Sequence, residues 1–123
     1  MLFRSVRDDF VSAAKDFTRV TELNPTDFEA AYNLGNAYLS LGEIYLKQRS
    51  DLEKREGDKN KIADLKNKEK THFELAKTYL EKARDLKPDH INAWNNLGIA
   101  YVKLGMIEEG KAAFKKVSEL EKK

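Results

Sequence analysis

The sequence predicts an all-α protein built from stacked helical hairpins. Three observations predict this fold class. Apolar residues recur at steps of three and four residues, which is the spacing of one helix face. The strict alternation of a half-buried strand does not occur, and two stretches of the chain are nearly the same. The 123 residues suffice for one domain.

Composition and charge narrow the function classes. Hydrophobic residues make up 41% of the chain and charged residues 36%, which is enough of both for a core and a solvated surface. The 23 basic residues are interleaved with 21 acidic ones, so the chain has no broad positive field for nucleic acid or anionic lipid. The absence of cysteine excludes disulfides, thiolate-bound zinc and a cysteine nucleophile.

The sequence also lacks signals for membranes. Its first ten residues contain no apolar run of the signal-peptide kind, and no stretch approaches the roughly 20 apolar residues of a membrane span. We therefore expect no membrane association and a cytoplasmic location.

The first predicted helix ends at Pro25. Thr26 and Glu29 follow with the spacing of a capping box, in which a hydroxyl and a carboxylate each accept from a free backbone amide. A second helix is therefore predicted to begin near Thr26 or Asp27. The apolar stripe of the first helix consists of Phe3, Val6, Phe10, Ala13, Phe17 and Val20.

Two helix types alternate along the chain. The segment AAYNLGNAYLSLG (30–42) matches AWNNLGIAYVKLG (93–105) in phase, and FTRVTELNPTD (17–27) aligns with LEKARDLKPDH (80–90) and FKKVSELEKK (114–123). Gly35 and Gly98 are shared although glycine costs about 1 kcal/mol inside a helix. They are expected to allow a neighbouring helix to approach closely.

These segments resemble the tetratricopeptide-repeat family over nearly the whole chain. The residues that match its pattern in the last repeat are Trp94, Leu97, Gly98, Tyr101 and Phe114, and those in the repeat before it are Leu34, Gly35, Tyr38, Ala76, Ala83 and Pro88. The departures are Ala31, Gly110, Val117 and Lys122. The resemblance implies a short right-handed solenoid of helical hairpins that serves as a protein-interaction scaffold.

The repeat spacing predicts three units and one insertion. Residues 1–25 form the second helix of an incomplete repeat, 26–90 form one repeat, and 91–123 form the C-terminal repeat. Trp94 lies 63 residues after its counterpart Ala31, whereas the family period is about 34 residues. The excess, placed at about 43–72, adds close to four helical turns to each arm of one hairpin. The predicted seam carries Tyr45, Gln48, Leu52 and Arg55 outward and Ile62, Leu65, Glu69 and His72 on the return.

No residue constellation indicates catalysis, a cofactor or a metal. His72 and His90 are the only histidines, and neither has the HExxH spacing or a carboxylate cluster. The chain has no GxSxG turn and no phosphate-binding loop. The basic residues of the insertion alternate with acidic ones, which favours a solvated hairpin over a phosphate-binding surface. The sequence therefore predicts a protein that is not an enzyme.

The predicted partner-binding residues lie on the first-type helices, on faces that line the concave groove in this family. Asparagine amides both donate to and accept from a peptide backbone. For Asn33 and Asn96 the alternative is that they tie neighbouring helices together. Lys103 is the only basic residue placed there, which disfavours the subclass that grips terminal carboxylates. The full set is Tyr32, Asn33, Asn36, Ser40, Asn92, Asn95, Asn96, Ile99 and Lys103.

Protein or peptide binding is thus the predicted function. One alternative is a structural or self-associating module that uses the extended hairpin or the uncapped ends, or that packs against flanking repeats of a longer chain. A more distant alternative is a nucleic-acid-associated protein.

Overall fold

A computed structural model describes residues 5–123, and within this range all regular structure is helical. The predicted all-α class is confirmed. Phe3, the first residue of the predicted stripe, lies outside the described residues. The described residues form five helices, which are α1 (Val6–Leu23), α2 (Phe28–Lys54), α3 (Lys59–Leu86), α4 (Ile91–Lys103) and α5 (Ile107–Glu121).

The helices stack in chain order. Each helix packs against the next one, and α2 additionally touches α4. This pattern of nearest-neighbour contacts is that of a helical solenoid, and the extended hairpin is formed by α2 and α3. α1, the α2–α3 pair and the α4–α5 pair fall in the three predicted units, and the division of the chain into those units stays a prediction.

The start of α2 differs from the predicted capping box. The Asp27 carboxylate, not the Thr26 hydroxyl, accepts from the backbone amide of Ala30 at 3.1 Å. Thr26 instead donates its hydroxyl to the Asn24 side chain at 3.1 Å. Because α2 begins at Phe28, Asp27 stands at the position whose side chain reaches the free amides. The predicted box was wrong by one residue.

Two glycines bring α2 close to α3. A Cβ atom on Gly35 would lie 2.6 Å from Leu80 Cγ, and one on Gly42 would lie 2.6 Å from Phe73 Cδ1. Leu80 and Phe73 are fully buried. A larger residue at either glycine would therefore push against a side chain that has nowhere to move.

The main core lies between α2, α3, α4 and α5. Tyr101 is buried there, and its hydroxyl donates to the Glu81 carboxylate at 2.6 Å. Burial, together with this hydrogen bond to an anion, raises the pKa of Tyr101 to about 12. The core cluster consists of Leu39, Phe73, Ala76, Leu80, Leu97, Ala100, Tyr101 and Ala113.

The seam of the extended hairpin is partly as predicted. The rings of Tyr45 and His72 lie 5.0 Å apart across it. Gln48, predicted to follow Tyr45 on the seam, is exposed, and Arg49 takes that place. Arg49 Nε donates to Glu69 at 2.6 Å, and its Nη2 donates to the same carboxylate at 3.2 Å. The seam steps by four residues here, because 3.6 residues per turn requires both three- and four-residue steps.

Candidate partner-binding surface

Two asparagines join the first-type helices. Asn96 Nδ2 on α4 donates to Asn36 Oδ1 on α2 at 2.9 Å, and both side chains are half-buried. Asn96 therefore ties neighbouring helices together, which was the alternative role predicted for it from the sequence. The Asn36 amino group and the Asn96 carbonyl make no further hydrogen bond within residues 5–123. One donor group and one acceptor group are thus held in place without partners in the described part of the chain.

Further polar side chains of α4 lie beside this pair. One face of α4 carries Asn92 and the residues three, four and seven positions after it, which are Asn95, Asn96 and Ile99. Asn92 is exposed, Asn95 and Ile99 are half-buried, and neither Asn92 nor Asn95 hydrogen-bonds to another described residue through its side chain. We call Asn36 and these four residues the asparagine face.

Asn33 and Ser40 face a different surface, formed with α1. Together with Asn36 they line a groove of about 310 Å³. The sequence placed Phe10 and Phe17 on the apolar stripe of α1, in an incomplete repeat that leaves Phe10 without a first-helix partner, but it did not predict a groove that they form with α2. We call this surface the α1–α2 groove; it is lined by Phe10, Ala13, Phe17, Asn33, Asn36, Ala37 and Ser40.

Tyr32 and Ile99 contribute to packing between helices. The Tyr32 ring stacks on Phe28, with centroids 5.4 Å apart, and meets His90 edge-on at 5.0 Å. Ile99 packs against the main core. Both side chains remain half-buried, so each combines a structural contact with a partly accessible surface.

Lys103 lies on the same side of α4 as Ile99, one helical turn beyond it, and is the last residue of the helix. It is seven residues beyond Asn96, about 10 Å further along α4. There it borders a depression of about 460 Å³ where the extended hairpin passes the end of α4. The residues around this depression are Arg49, Lys66, Glu69, Lys70, Phe73, Glu74, Lys77, Lys103, Leu104 and Met106.

The two histidines have local structural partners. His90 caps α4, its Nδ1 accepting from the Ala93 amide at 3.1 Å, and His72 Nδ1 donates to the Lys68 carbonyl at 2.6 Å. Residues 5–123 contain no group of three histidine, aspartate or glutamate side chains positioned to hold a metal. None of the helices described is both long enough and apolar enough to cross a membrane.

Stacked helical hairpins with an accessible polar face define a helical-repeat protein. Family models described as tetratricopeptide repeat match residues 17–53 and 91–123, which together make up more than half of the chain. The chain belongs to the tetratricopeptide-repeat family, as its sequence predicted. Repeats of this family are in general protein-interaction scaffolds, and they are typically not enzymes.

Solved structures that are similar to this chain include that of MamA. The crystal structure of MamA is similar over 98% of this chain and 97% of that chain, with 20% sequence identity and a TM-score of 0.38. No curated protein matches the sequence.

Proposed function

We propose that this chain binds a protein partner on the asparagine face and holds an extended segment of that partner by its backbone. The observation that supports this proposal is the Asn96–Asn36 hydrogen bond of 2.9 Å between α4 and α2. It fixes the orientation of two amides and leaves one donor group and one acceptor group without partners among residues 5–123. A peptide backbone presents the complementary acceptor and donor along its length.

The fixed amide pair favours binding because its side chains are already ordered. Immobilising a flexible side chain on binding costs about 0.5–1.5 kcal/mol, and Asn36 and Asn96 are immobilised before the partner arrives. Each hydrogen bond to the partner contributes about 0.5–1.5 kcal/mol. Asn92 and Asn95 extend the polar surface along α4, and the half-buried Ile99 offers an apolar contact at its end.

Self-association through α1 is a second candidate function. Val6 and Val20 are exposed to 66% and 38% on this helix, and their spacing places them on one stripe with the half-buried Phe10, Ala13 and Phe17. Exposed apolar surface of this kind favours association. Sedimentation velocity of the intact chain tests it: a monomer that persists up to about millimolar concentration would exclude this function.

Site-specific photo-crosslinking tests the asparagine face. A photoreactive amino acid replaces Asn95, and matched variants carry it at Asp64 on the hairpin and at Lys115 on α5. We expect a specific adduct from position 95 that an excess of the unmodified protein prevents, and no such adduct from the two control positions. Adducts from position 64 or 115 alone would place the partner elsewhere and reject the proposal.

A further inference from the structure

The residues of α1 that line the α1–α2 groove correspond to residues of α3 that are covered by another helix. The repeated segments are offset by 63 residues, which aligns Phe10 with Phe73, Ala13 with Ala76, and Phe17 with Leu80. The three residues of α3 are 1%, 0% and 0% exposed. Their counterparts on α1 are only half-buried and line the open groove. The groove is therefore the equivalent of a surface that another helix covers.

The helix that covers these α3 residues is α2, and two of its glycines allow it to lie close to them. Gly35 lies over Leu80 and Gly42 lies over Phe73, each so close that an added Cβ would be 2.6 Å from the facing side chain. The glycines are seven residues apart, about 10.5 Å along the helix. By the 63-residue offset, an occupant of the groove needs one small residue over Phe17 and a second over Phe10.

The Asn33 side chain adds a polar requirement for the helix that would occupy the groove. Asn33 on α2 corresponds to Asn96 on α4, and Asn96 donates to Asn36, the residue directly after Gly35. The Asn33 side chain makes no hydrogen bond in the part of the chain that the structure describes. An occupant placed like α2 would bring the residue after its first small residue to the Asn33 amide. That residue should therefore carry a hydrogen-bond acceptor.

We infer that the α1–α2 groove binds an amphipathic α-helix of a partner polypeptide. This helix carries two small residues seven positions apart, with a side-chain acceptor directly after the first one. The same pattern occurs in this chain as Gly35, Asn36 and Gly42. The inference concerns a groove that shares only Asn36 with the asparagine face, and a helical rather than an extended ligand, so it does not depend on the proposed function.

A peptide copied from this chain provides the probe. The segment Asp27–Tyr45, with blocked ends, carries the required pattern and is titrated into the ¹⁵N-labelled full chain. We expect saturable NMR shifts at the groove residues of α1 and at Asn33. Replacing both glycines of the peptide by leucine should weaken binding about tenfold or more, because the added atoms would overlap the two phenylalanines. Leucine favours the helix more than glycine does, so lower helicity would not explain that loss.

Two variants of the protein locate the binding site. Ala13→Arg places a long charged side chain in the groove, and Ala112→Arg places the same side chain on an exposed position of α5. We expect the first to reduce peptide affinity about tenfold or more and the second to leave it unchanged, with circular dichroism confirming that both remain helical. The glycine-to-leucine peptide tests the same site with the protein unaltered.

Three results would overturn the inference. The first is no saturable binding of the peptide at millimolar concentration. The second is equal affinity for the glycine and leucine peptides, or for the two protein variants. The third is a set of shifts confined to Phe73, Ala76 and Leu80, because the peptide would then have displaced α2 instead of entering the groove.

Discussion

Alanine at two equivalent glycines should have unequal effects on stability. Gly35 and Gly98 occupy the same position in successive repeats, and each lies against the second helix of its hairpin. In Gly35→Ala the new Cβ would be 2.6 Å from Leu80 Cγ and 3.2 Å from the Leu80 backbone nitrogen. In Gly98→Ala it would be 2.7 Å from the Phe114 ring.

The two neighbours differ in their freedom to move. Leu80 is 0% exposed and enclosed by α2 and α4, whereas Phe114 is 36% exposed at the edge of α5. Both substitutions gain about 1 kcal/mol of helix propensity. Overpacking a rigid core costs about 1–3 kcal/mol, so Gly35→Ala should lower the free energy of unfolding by up to about 2 kcal/mol after that gain. At Gly98 the ring turns outward, and the net change should lie within about 0.5 kcal/mol of zero or be slightly stabilising.

Urea denaturation followed by circular dichroism measures both free energies of unfolding. The urea concentration at the midpoint of unfolding should fall for Gly35→Ala and remain or rise for Gly98→Ala. The slope of the free energy of unfolding against urea concentration should be unchanged in both. Equal destabilisation of the two variants would refute the argument that the exposure of the facing side chain decides the outcome. Stabilisation by Gly35→Ala would refute the close contact itself.

Two further predictions concern the core and the hairpin. Because the fold holds the phenolic proton of Tyr101 more tightly than the unfolded chain does, its contribution to stability is complete below about pH 10 and is lost as pH rises from there to about 12. Thermal unfolding across this range should show a smaller loss in Tyr101→Phe than in the unaltered protein, and identical pH profiles would contradict the assignment. Replacing residues 50–68 by a four-residue turn leaves Leu46 packed on the core and keeps the Arg49–Glu69 pair. Calorimetry of this variant should still show one cooperative unfolding transition. Loss of the cooperative transition would show that the distal hairpin is part of the core.

The fold was predictable because its determinants repeat. A glycine at the same position in two matching segments indicates the same close helix contact twice, and the structure shows both contacts. The excess spacing between Ala31 and Trp94 likewise predicted one extended hairpin. Such features depend on residue type and spacing, which the sequence states directly.

Details that depend on small rotations were not predictable. Thr26 and Asp27 are both good capping residues, and the choice depends on the backbone angles at the turn. Gln48 and Arg49 are adjacent in sequence, and only one of them can face the seam. Which one does so depends on how far α2 has rotated by that point at 3.6 residues per turn.

The candidate site was predictable only as a set of helix faces. The sequence placed Asn36 and Asn96 on first-type helices, but their pairing depends on the rotation of α4 against α2. Lys103 is the last residue of α4 and borders the hairpin there, a neighbour that the sequence did not indicate. The open side of α1 follows from its prediction as the second helix of an incomplete repeat, but the polar lining of the α1–α2 groove depends on how α1 packs against α2, which spacing along the chain does not report.

The most direct test of partner binding on the asparagine face is the affinity of a crosslinked partner for a double variant. Asn92→Ala with Asn95→Ala removes two amides that make no hydrogen bond to another described side chain, whereas Asn36→Ala would also break the contact with Asn96. The matched control changes two exposed hairpin asparagines, Asn60 and Asn67, to alanine.

Isothermal titration calorimetry should show about tenfold weaker binding for the double variant, from two lost hydrogen bonds of about 0.7 kcal/mol each. The melting temperature should change little, since these surface residues do not pack in the core. The control should bind as the unaltered protein does. Unchanged affinity in the Asn92 and Asn95 variant, with weaker binding in the hairpin control, would contradict the account.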